Sequence, residues 1–462
     1  MTQDPVERDY DVIIVGAGIV GPALAVSLAR KKRKVLIIER DLNEPDRIVG
    51  ELLQPGGVEA LKKLGMEAAL ENIDAIPTVG YQVIYNTLGV NIPYPSTDLA
   101  SGPKAQGRGF HHGKFVMNLR KLAREQPGVT MIQGTVTEVV KNPYTGHVLG
   151  VKAKEGNREK FYFASLTAIS DGISSKFRKD FSDETPKVRS NFVGLILEDC
   201  KLPMPNHGHV VIGGSHSPIL LYQIGPNETR ILCDVQGTLP SVSSGAMKEH
   251  LMKHVMPYLP EESKDSFGKA LETTKIRSMP NQYLPGSFKR TPGMLLIGDA
   301  YNMRHPLTGG GMTVGFKDAV LLGELLDSNI VPNLDDTLLV EQQLSKFLKM
   351  RKRNVATINI LAMALYSLFG ANDKNLRVLQ MGCFEYFQLG GDCIKGPVSL
   401  LSGLNARPEV LFYHFFAVAF YAIYLNFLDK GISGFPVAFV EVFTVLYTAC
   451  VVFLPVMTRE LL

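Results

Sequence analysis

Apolar positions near the start of the chain follow the pattern of a strand–helix–strand unit. Residues 11–15 form a short run rich in β-branched side chains, which predicts a buried parallel strand. A glycine-rich stretch follows at once and leads into a helical pattern at 22–30, with proline in its first turn. Residues 35–38 are apolar again and predict the next strand of the same sheet.

The glycine-rich stretch has the spacing of a dinucleotide-binding turn. Gly16 permits the tight turn, Gly18 lets a pyrophosphate approach the backbone, and Gly21 lets the helix lie close to the strand. The helix N-terminus offers free N–H groups to that pyrophosphate. Glu39 ends the second strand and can accept hydrogen bonds from ribose hydroxyls. We therefore predict a bound dinucleotide; a glycine-rich turn without a ligand is the alternative.

Strand and helix patterns alternate over the next part of the chain. Strands are predicted at 79–95, 129–132, 135–140 and 166–170, and helices at 58–64 and 115–124. The strand at 166–170 leads into Asp171, where the end of a sheet meets a cofactor. Four strand-like runs separated by Gly, Pro and Asn then predict an antiparallel sheet in a second domain, at 192–197, 209–212, 219–224 and 230–235.

A second glycine-rich stretch follows another predicted strand. The apolar run 293–298 ends in Asp299, and three consecutive glycines within 305–319 open a helical pattern. This pattern predicts a second helix N-terminus directed at a ligand. The helices that follow contain a basic stretch at 346–353, which we interpret as a solvated helix face or as a face near anionic lipid headgroups.

The C-terminal part of the chain is apolar at almost every position. Residues 410–428 and 435–457 form two apolar runs, separated by the polar stretch 429–434. Each run approaches the ~20 residues needed to cross a bilayer, which predicts a membrane-associated helical hairpin. A pair of buried core helices is one alternative. A hairpin embedded in one leaflet is another, because four residues interrupt the apolar runs: His414, Asn426, Pro436 and Glu441.

Composition sets limits on function. A chain of 462 residues can form two or more domains, and its net charge of +4 argues against nucleic acid as the main partner. The five cysteines are scattered without C-x-x-C spacing, so neither a metal site nor a disulfide framework is expected. The polar start at 1–5 lacks the apolar core of a signal peptide, and we expect none.

The motifs together resemble a known group of enzymes. The glycine turn, Asp171-Gly172 and Gly298-Asp299 resemble the flavoprotein monooxygenases of the para-hydroxybenzoate hydroxylase fold. Longer stretches at 46–57, 171–178 and 302–314 are similar to those of the squalene epoxidases, also called squalene monooxygenases. The similarity covers nearly the whole chain. No N-terminal hydrophobic extension of the kind some members carry is seen, so anchoring is expected at the C-terminus.

This resemblance implies FAD as the cofactor and assigns residues to the site. The implied cofactor-binding residues are Gly16, Gly18, Ile19, Val20, Gly21, Glu39, Arg40, Arg47, Leu52, Arg120, Val136, Asp171, Asp299, Gly311 and Met312. Tyr81 is implied as the activity-critical residue, with Gln54 as its hydrogen-bond partner. The implied substrate contacts are Leu220, Tyr222, Pro306 and Leu307, and no metal ligand is implied. An ordinary half-buried sheet residue is the alternative for Tyr81, and a solvated surface residue for Arg47.

The expected fold class is α/β, with a Rossmann-type FAD-binding domain, an antiparallel-sheet substrate domain and a C-terminal helical membrane-associated region. The expected segments are interleaved along the chain: FAD-binding domain at 8–78, 111–188 and 291–340, substrate domain at 79–110 and 189–290, helical region at 341–408 and membrane hairpin at 409–462.

The implied reaction is the epoxidation of squalene to (S)-2,3-epoxysqualene in sterol biosynthesis. It uses O2 and electrons from NADPH, delivered by NADPH–cytochrome P450 reductase; no separate nicotinamide motif is seen in this chain, which agrees. The implied location is the endoplasmic reticulum membrane with the catalytic part facing the cytoplasm, and lipid droplets are a further location. The alternatives are another flavin monooxygenase acting on an apolar or aromatic substrate, and a non-catalytic lipid-binding protein of the same fold.

Overall fold

The computed structural model describes residues 9–96, 102–214, 216–371, 373–431 and 434–461. The expectation for residues 1–5 lies outside these ranges. So do parts of five expected segments, namely 8–78, 79–110, 189–290, 341–408 and 409–462. The strands are β1 (Tyr10–Val15), β2 (Val35–Glu39), β3 (Leu52–Leu53), β4 (Ile76–Thr78), β5 (Gly80–Tyr85), β6 (Leu88–Pro93), β7 (Gly107–Gly109), β8 (Val129–Gln133), β9 (Thr135–Lys141), β10 (Val148–Glu155), β11 (Arg158–Ile169), β12 (Lys187–Glu198), β13 (His207–Ile212), β14 (Ile219–Gln223), β15 (Glu228–Val235), β16 (Arg277–Tyr283) and β17 (Met294–Leu296). The α-helices are α1 (Val20–Ala29), α2 (Pro55–Leu64), α3 (His112–Glu125), α4 (Arg178–Phe181), α5 (Ala246–His254), α6 (Glu261–Thr273), α7 (Gly311–Leu325), α8 (Thr337–Phe369), α9 (Lys374–Gln388), α10 (Asp392–Leu401), α11 (Pro408–Lys430) and α12 (Phe435–Leu461).

The first sheet carries the glycine turn at the end of its central strand. β1 pairs in parallel with β2 and β11, and β8 and β17 extend the parallel part. β10 and β9 add an antiparallel extension to β11. Val12 and Ile14 face the cluster that holds α1, α3 and α7, whereas Ile13 and Val15 face a second cluster containing residues of β9 and β10. Burial on both faces explains why residues 12–15 of this strand are all apolar.

The second sheet has the strand order β16-β12-β15-β14-β13-β5-β6. Its pairs are antiparallel, as the sequence predicts, except that β5 and β13 run parallel. One face packs against α5 and α6, where Leu251 and Phe267 are buried. The other face contributes Val210, Leu220 and Tyr222 to a cluster that extends into α8 and α9. A small sheet of β3, β7 and β4 completes the α/β architecture, and the predicted fold class is confirmed.

The C-terminal helices α11 and α12 pack on α8 and α9 with only part of their surface. Of the described residues in α11, only four are buried: Leu411, His414, Ala419 and Ala422. Large apolar and aromatic side chains cover the outer faces of both helices, among them Phe412, Tyr413, Phe420, Tyr424, Phe443 and Tyr447. The alternative of two core helices is therefore wrong.

Two helical stretches, Pro408–Lys430 and Pro436–Leu461, are long and apolar enough to cross a membrane. Their exposed faces are consistent with membrane association. The basic stretch 346–353 differs from its interpretation at one position, because Arg351 is buried and its Nε lies 2.8 Å from Asp318 Oδ2.

Candidate active site

A cavity of about 470 Å³ lies between the ends of the two large sheets. At one end it is lined by the glycine turn, the end of β2 and the motifs around Asp171 and Asp299. At the other end it is lined by apolar side chains from the second sheet and from the segment before α7: Tyr81, Val210, Leu220, Tyr222, Leu232, Met279, Pro306 and Leu307. The arrangement can hold a polar group at one end and an apolar one at the other.

The glycine turn leaves room for a ligand at one position and none at the other two. Gly16 has a φ of +104°, which favours glycine, and a Cβ at Gly21 would lie 2.0 Å from the Gly16 carbonyl oxygen. At Gly18 a Cβ would meet nothing within 4 Å, and this residue lines the cavity. The turn is therefore closed by its own packing and open toward the cavity at Gly18.

Two charged side chains hold the turn from outside. The Ala17 N–H donates to Glu39 Oε2 at 2.6 Å, and Arg120 Nε donates to the Ala17 carbonyl at 2.8 Å. Glu39 thus supports the turn as well as bordering the cavity. Arg40 and Arg47 are exposed and line the cavity.

The two acidic motifs meet on one arginine. Arg178 donates to the Gly172 carbonyl at 3.1 Å and to the Asp299 carbonyl at 2.9 Å, so it joins the ends of β11 and β17. Desolvation raises the pKa of Asp171, against hydrogen bonds from Ser175 and the backbone. The Asp299 side chain is solvent-exposed and faces the cavity. Desolvation raises its pKa too, opposed by the charges of nearby arginines, namely Arg304, Arg47 and Arg178.

Two buried polar atoms at this end lack a partner among the described residues. They are Asp171 Oδ1 and Arg304 Nε, and both residues line the cavity. An unpaired acceptor and an unpaired cationic donor that line the same cavity as Gly18 fit a ligand with hydroxyl and phosphate groups.

The N-terminus of α7 also borders the cavity. Gly309 has a φ of +61°, and the helix begins at Gly311, so its first N–H groups have no partner within the helix. Gly311 and Met312 both line the cavity. This end of the helix supplies partial positive charge to a ligand placed there.

His112 borders the same space at the N-terminus of α3. Its Nδ1 lies 3.0 Å from the Gly50 carbonyl oxygen, which makes it the donor. Desolvation lowers the pKa of His112 to about 4, and the positive charges of Arg47 and Arg120 act in the same direction. The imidazole is therefore neutral at physiological pH.

At the apolar end, Tyr81 belongs to a buried hydrogen-bond network centred on Gln54. Gln54 Nε2 donates to the Tyr81 hydroxyl and, at 2.8 Å, to the Thr308 carbonyl. The Tyr94 hydroxyl donates to Gln54 Oε1 at 2.8 Å. The two tyrosine rings meet edge to face with centroids 5.8 Å apart. Burial raises the pKa of Tyr81, so the hydroxyl stays protonated.

A buried ion pair links the strand β3 region to the second sheet. Arg230 donates from Nε to Glu51 Oε2 at 2.7 Å and from its terminal nitrogen to Glu51 Oε1 at 2.9 Å. The side chains are only 6% and 1% exposed. Glu51 lines the cavity, so this bidentate pair fixes its wall between the two ends.

The structure brings almost all the predicted site residues to this cavity. The exceptions are Gly21, which packs inside the glycine turn, and Gln54, which lies behind Tyr81. The location is observed, whereas the role of each residue stays a prediction.

The residues of the site that the sequence did not single out include Arg178, Arg304, Tyr94 and Arg230. The first two stand inside the motifs at 171–178 and 302–314, so those motifs carried a signal for them. No local pattern marks Tyr94 or Arg230, because each contacts a partner far away in the chain.

Solved structures that share this fold include a monooxygenase and a flavin-dependent brominase. The p-nitrophenol 4-monooxygenase PnpA from Pseudomonas putida matches with a TM-score of 0.71 and 16% identity, over 87% of this chain and 100% of that chain. The flavin-dependent brominase Bmp2 matches with a TM-score of 0.70 and 15% identity, over 89% of this chain and 98% of that chain. This likeness shows that the chain shares its fold with these two enzymes.

Sequence comparison gives the family. A profile described as squalene epoxidase matches residues 163–440. The squalene epoxidase of Aspergillus fumigatus is 51% identical, with 97% of this chain and 93% of the relative covered. That of Candida albicans is 44% identical, with 98% and 99% covered. The chain belongs to the squalene epoxidase family. It is therefore an oxidoreductase with a flavin cofactor.

Proposed function

We propose that this protein epoxidises squalene to (S)-2,3-epoxysqualene in sterol biosynthesis. One atom of O2 enters the terminal alkene and the other leaves as water, with two electrons from NADPH delivered by a partner NADPH–cytochrome P450 reductase. The observation that carries the proposal is one continuous cavity, which joins a polar end with a dinucleotide-type turn to an apolar end.

The proposed cofactor is FAD. Gly18 and the N-terminus of α1 would hold its pyrophosphate, and Glu39 would accept from the adenosine ribose. The unpaired atoms of Asp171 and Arg304, together with Asp299, fit the polar chain between pyrophosphate and ring. Reduced FAD, when bound, activates O2 and supplies the oxygen atom. The N-terminus of α7 would stabilise negative charge on the ring.

The apolar end suits a hydrocarbon that offers no hydrogen bonds. An alkene has no proton to remove, so the chain needs no acid–base pair acting on substrate; it must orient the double bond and exclude water. Leu220, Tyr222, Pro306 and Leu307 are placed to contact it. The Gln54 network fixes the Tyr81 ring at the wall, because three hydrogen bonds hold one carboxamide.

The proposed location is the endoplasmic reticulum membrane, with the catalytic part facing the cytoplasm. The exposed apolar faces of α11 and α12 support membrane contact. A substrate that dissolves in lipid would reach the enzyme through the bilayer, so a membrane location supplies it at high local concentration.

The test uses the full chain purified in detergent. Its visible absorption spectrum should show flavin bands, and thin-layer or high-performance separation of the released cofactor should identify FAD. With reductase, NADPH, O2 and squalene, mass analysis should detect a product one oxygen atom heavier. Bound FAD without epoxide, but with a hydroxylated phenol, would favour an aromatic hydroxylase. Absence of flavin together with squalene binding would favour a lipid-binding protein.

A further inference from the structure

A buried polar cluster lies beside the apolar end of the cavity. Ser190 of β12, Asp234 of β15 and Asn281 of β16 come together at one place in the second sheet, and His305 faces them from the segment before α7. All four residues are at most 7% exposed. This cluster, the Ser190–Asp234–Asn281–His305 cluster, contributes none of its side chains to the lining of the polar end of the cavity.

The hydrogen bonds define the protonation of His305. The Leu307 N–H donates to Nδ1 at 3.2 Å, so in the neutral ring the proton is on Nε2. Nε2 lies 3.3 Å from Ser190 Oγ, and the Ser190 hydroxyl donates to Asp234 Oδ1. Asn281 Nδ2 donates to Ser190 Oγ and to the same carboxylate oxygen, at 3.0 and 3.1 Å.

Burial agrees with a neutral ring. Desolvation lowers the pKa of His305 to about 3 and raises the pKa of Asp234 to about 6, the latter opposed by hydrogen bonds from Ser190 and Asn281. Although His305 Nε2 and Asp234 Oδ1 are 3.9 Å apart, we treat them as a neutral imidazole and a carboxylate bridged by serine.

The ring is also held on its faces. It stacks on Tyr366 of α8 with centroids 3.7 Å apart and planes 14° apart. Phe192 meets it edge-on at 5.5 Å. Because the ring is fixed by stacking and by the serine bridge, its Nδ1 is a fixed acceptor for the backbone of the next turn.

That turn forms part of the cavity wall. It is the short 3-10 helix Pro306–Thr308, whose N-cap is His305. Pro306 and Leu307 line the cavity, and the Thr308 carbonyl accepts from Gln54 Nε2 at 2.8 Å. A continuous polar connection therefore runs from Asp234 through His305 and the turn to Gln54, which holds Tyr81.

We propose that His305, held by Ser190 and Asp234, is a positioning residue that sets the Pro306–Thr308 turn against the substrate. The inference rests on the proposed epoxidation and adds a residue to it. The arrangement differs from a hydrolytic triad, because the serine lies between the imidazole and the carboxylate and is 2% exposed. The cluster keeps the Pro306–Thr308 turn in position, and its serine does not act as a nucleophile.

The test distinguishes the hydrogen bond at His305 Nδ1 from the contact at His305 Nε2. His305→Leu removes both hydrogen bonds, whereas in His305→Asn the side-chain oxygen can still accept from the Leu307 N–H, since asparagine is a favoured N-cap residue. We expect His305→Leu to retain flavin, to lose about 10-fold in epoxide formed per flavin, and to release more of the NADPH electrons as hydrogen peroxide. His305→Asn should recover most of the coupling between NADPH oxidation and epoxide.

Ser190→Ala is the milder variant if His305→Leu does not fold. It removes the bridge and leaves the cap, so peroxide release should rise modestly while flavin content stays at the wild-type level. Wild-type coupling in both His305→Leu and Ser190→Ala would overturn the proposal. The proposal would also be overturned if all three variants lost flavin and thermal stability equally while the coupling per bound flavin stayed at the wild-type value. If the wild type itself makes no epoxide, the proposed function fails instead.

Discussion

Removing one hydroxyl group should reveal how much of the reaction depends on the network around Gln54. In Tyr81→Phe the ring keeps its packing, but one hydrogen of the Gln54 carboxamide loses its acceptor in a site where Gln54 is fully buried. A buried donor without a partner costs about 1–3 kcal/mol. If that cost falls on the reactive geometry, epoxide formation should drop about 5- to 150-fold.

Tyr94→Phe is the matched control. It removes the hydroxyl that donates to the other end of the same carboxamide, so the buried network loses one hydrogen bond in each variant. Tyr94 stands outside the set of described residues that line the cavity, whereas Tyr81 belongs to it. We therefore expect similar losses of thermal stability in the two variants and a larger loss of turnover in Tyr81→Phe.

The assay measures three quantities on the same preparations: flavin content by absorption, melting temperature in detergent, and epoxide formed with reductase and NADPH. Gln54→Ala should be worse than either tyrosine variant, because it leaves the Tyr94 hydroxyl and the Thr308 carbonyl unpaired and also opens a cavity. Equal turnover losses in Tyr81→Phe and Tyr94→Phe, in proportion to stability, would refute a role for Tyr81 beyond packing.

Four further expectations concern the cofactor, the wall and the membrane. Gly18→Val should abolish flavin retention, since a branched side chain would fill the open space beside the turn; full flavin content would place the cofactor elsewhere. Desolvation lowers the pKa of His112 to about 4 in the folded protein, whereas the ordinary value of 6.5 applies in the unfolded chain. The part of the free energy of unfolding that depends on neutral His112 is therefore fully present above pH 6.5. It is lost as the pH falls toward 4, because the unfolded chain takes up the proton first. On acidification, the melting temperature of His112→Gln should consequently fall less than that of the wild type. The difference corresponds to up to roughly 3 kcal/mol in the free energy of unfolding. Arg230→Met should lower the free energy of unfolding by about 3–5 kcal/mol in denaturant titrations, because it leaves Glu51 charged and unpaired. Adding Glu51→Met should restore most of that loss. Deleting residues 408–462 should give an insoluble protein rather than a soluble flavoprotein, as measured by sedimentation without detergent, because apolar faces of α8 and α9 become uncovered.

Local sequence predicted those parts of the fold that local physics determines. The strand β1, the glycine turn and the helix α1 follow one another within a short segment, and each is marked by its own periodicity or backbone requirement. The apolar C-terminal helices were predictable for the same reason. The parallel pair of β5 and β13 was not, because pairing between distant segments leaves no trace in the pattern of either strand.

The candidate site divides along the same line. The motifs around Gly18, Asp171 and Asp299 could be located from the sequence, since each combines a strand end with a glycine. The residue pairs that shape the cavity wall could not be located from the sequence, because Glu51 contacts Arg230, and Gln54 contacts Tyr94, only after the sheets have formed. Arg351 shows the opposite error: within a basic stretch it looked solvated, but Asp318 from α7 neutralises it in the interior.

The last turn of α12 gives the apolar C-terminal helices a direct connection to the polar end of the cavity. Glu460 Oε2 accepts from Asn359 Nδ2 at 2.7 Å, and Asn359 Nδ2 also donates to Asn302 Oδ1 at 2.9 Å. Arg304, which lines the cavity beside Asp299, donates to the same Asn302 oxygen at 3.0 Å. Burying a carboxylate is costly unless it is hydrogen-bonded, so the end of α12 is held in one register against α8. A helix that only anchored the enzyme would not need such a contact. The position of α12 and the arrangement of polar groups around Arg304 are therefore parts of one hydrogen-bonded structure, and a change in either must be accommodated by the other.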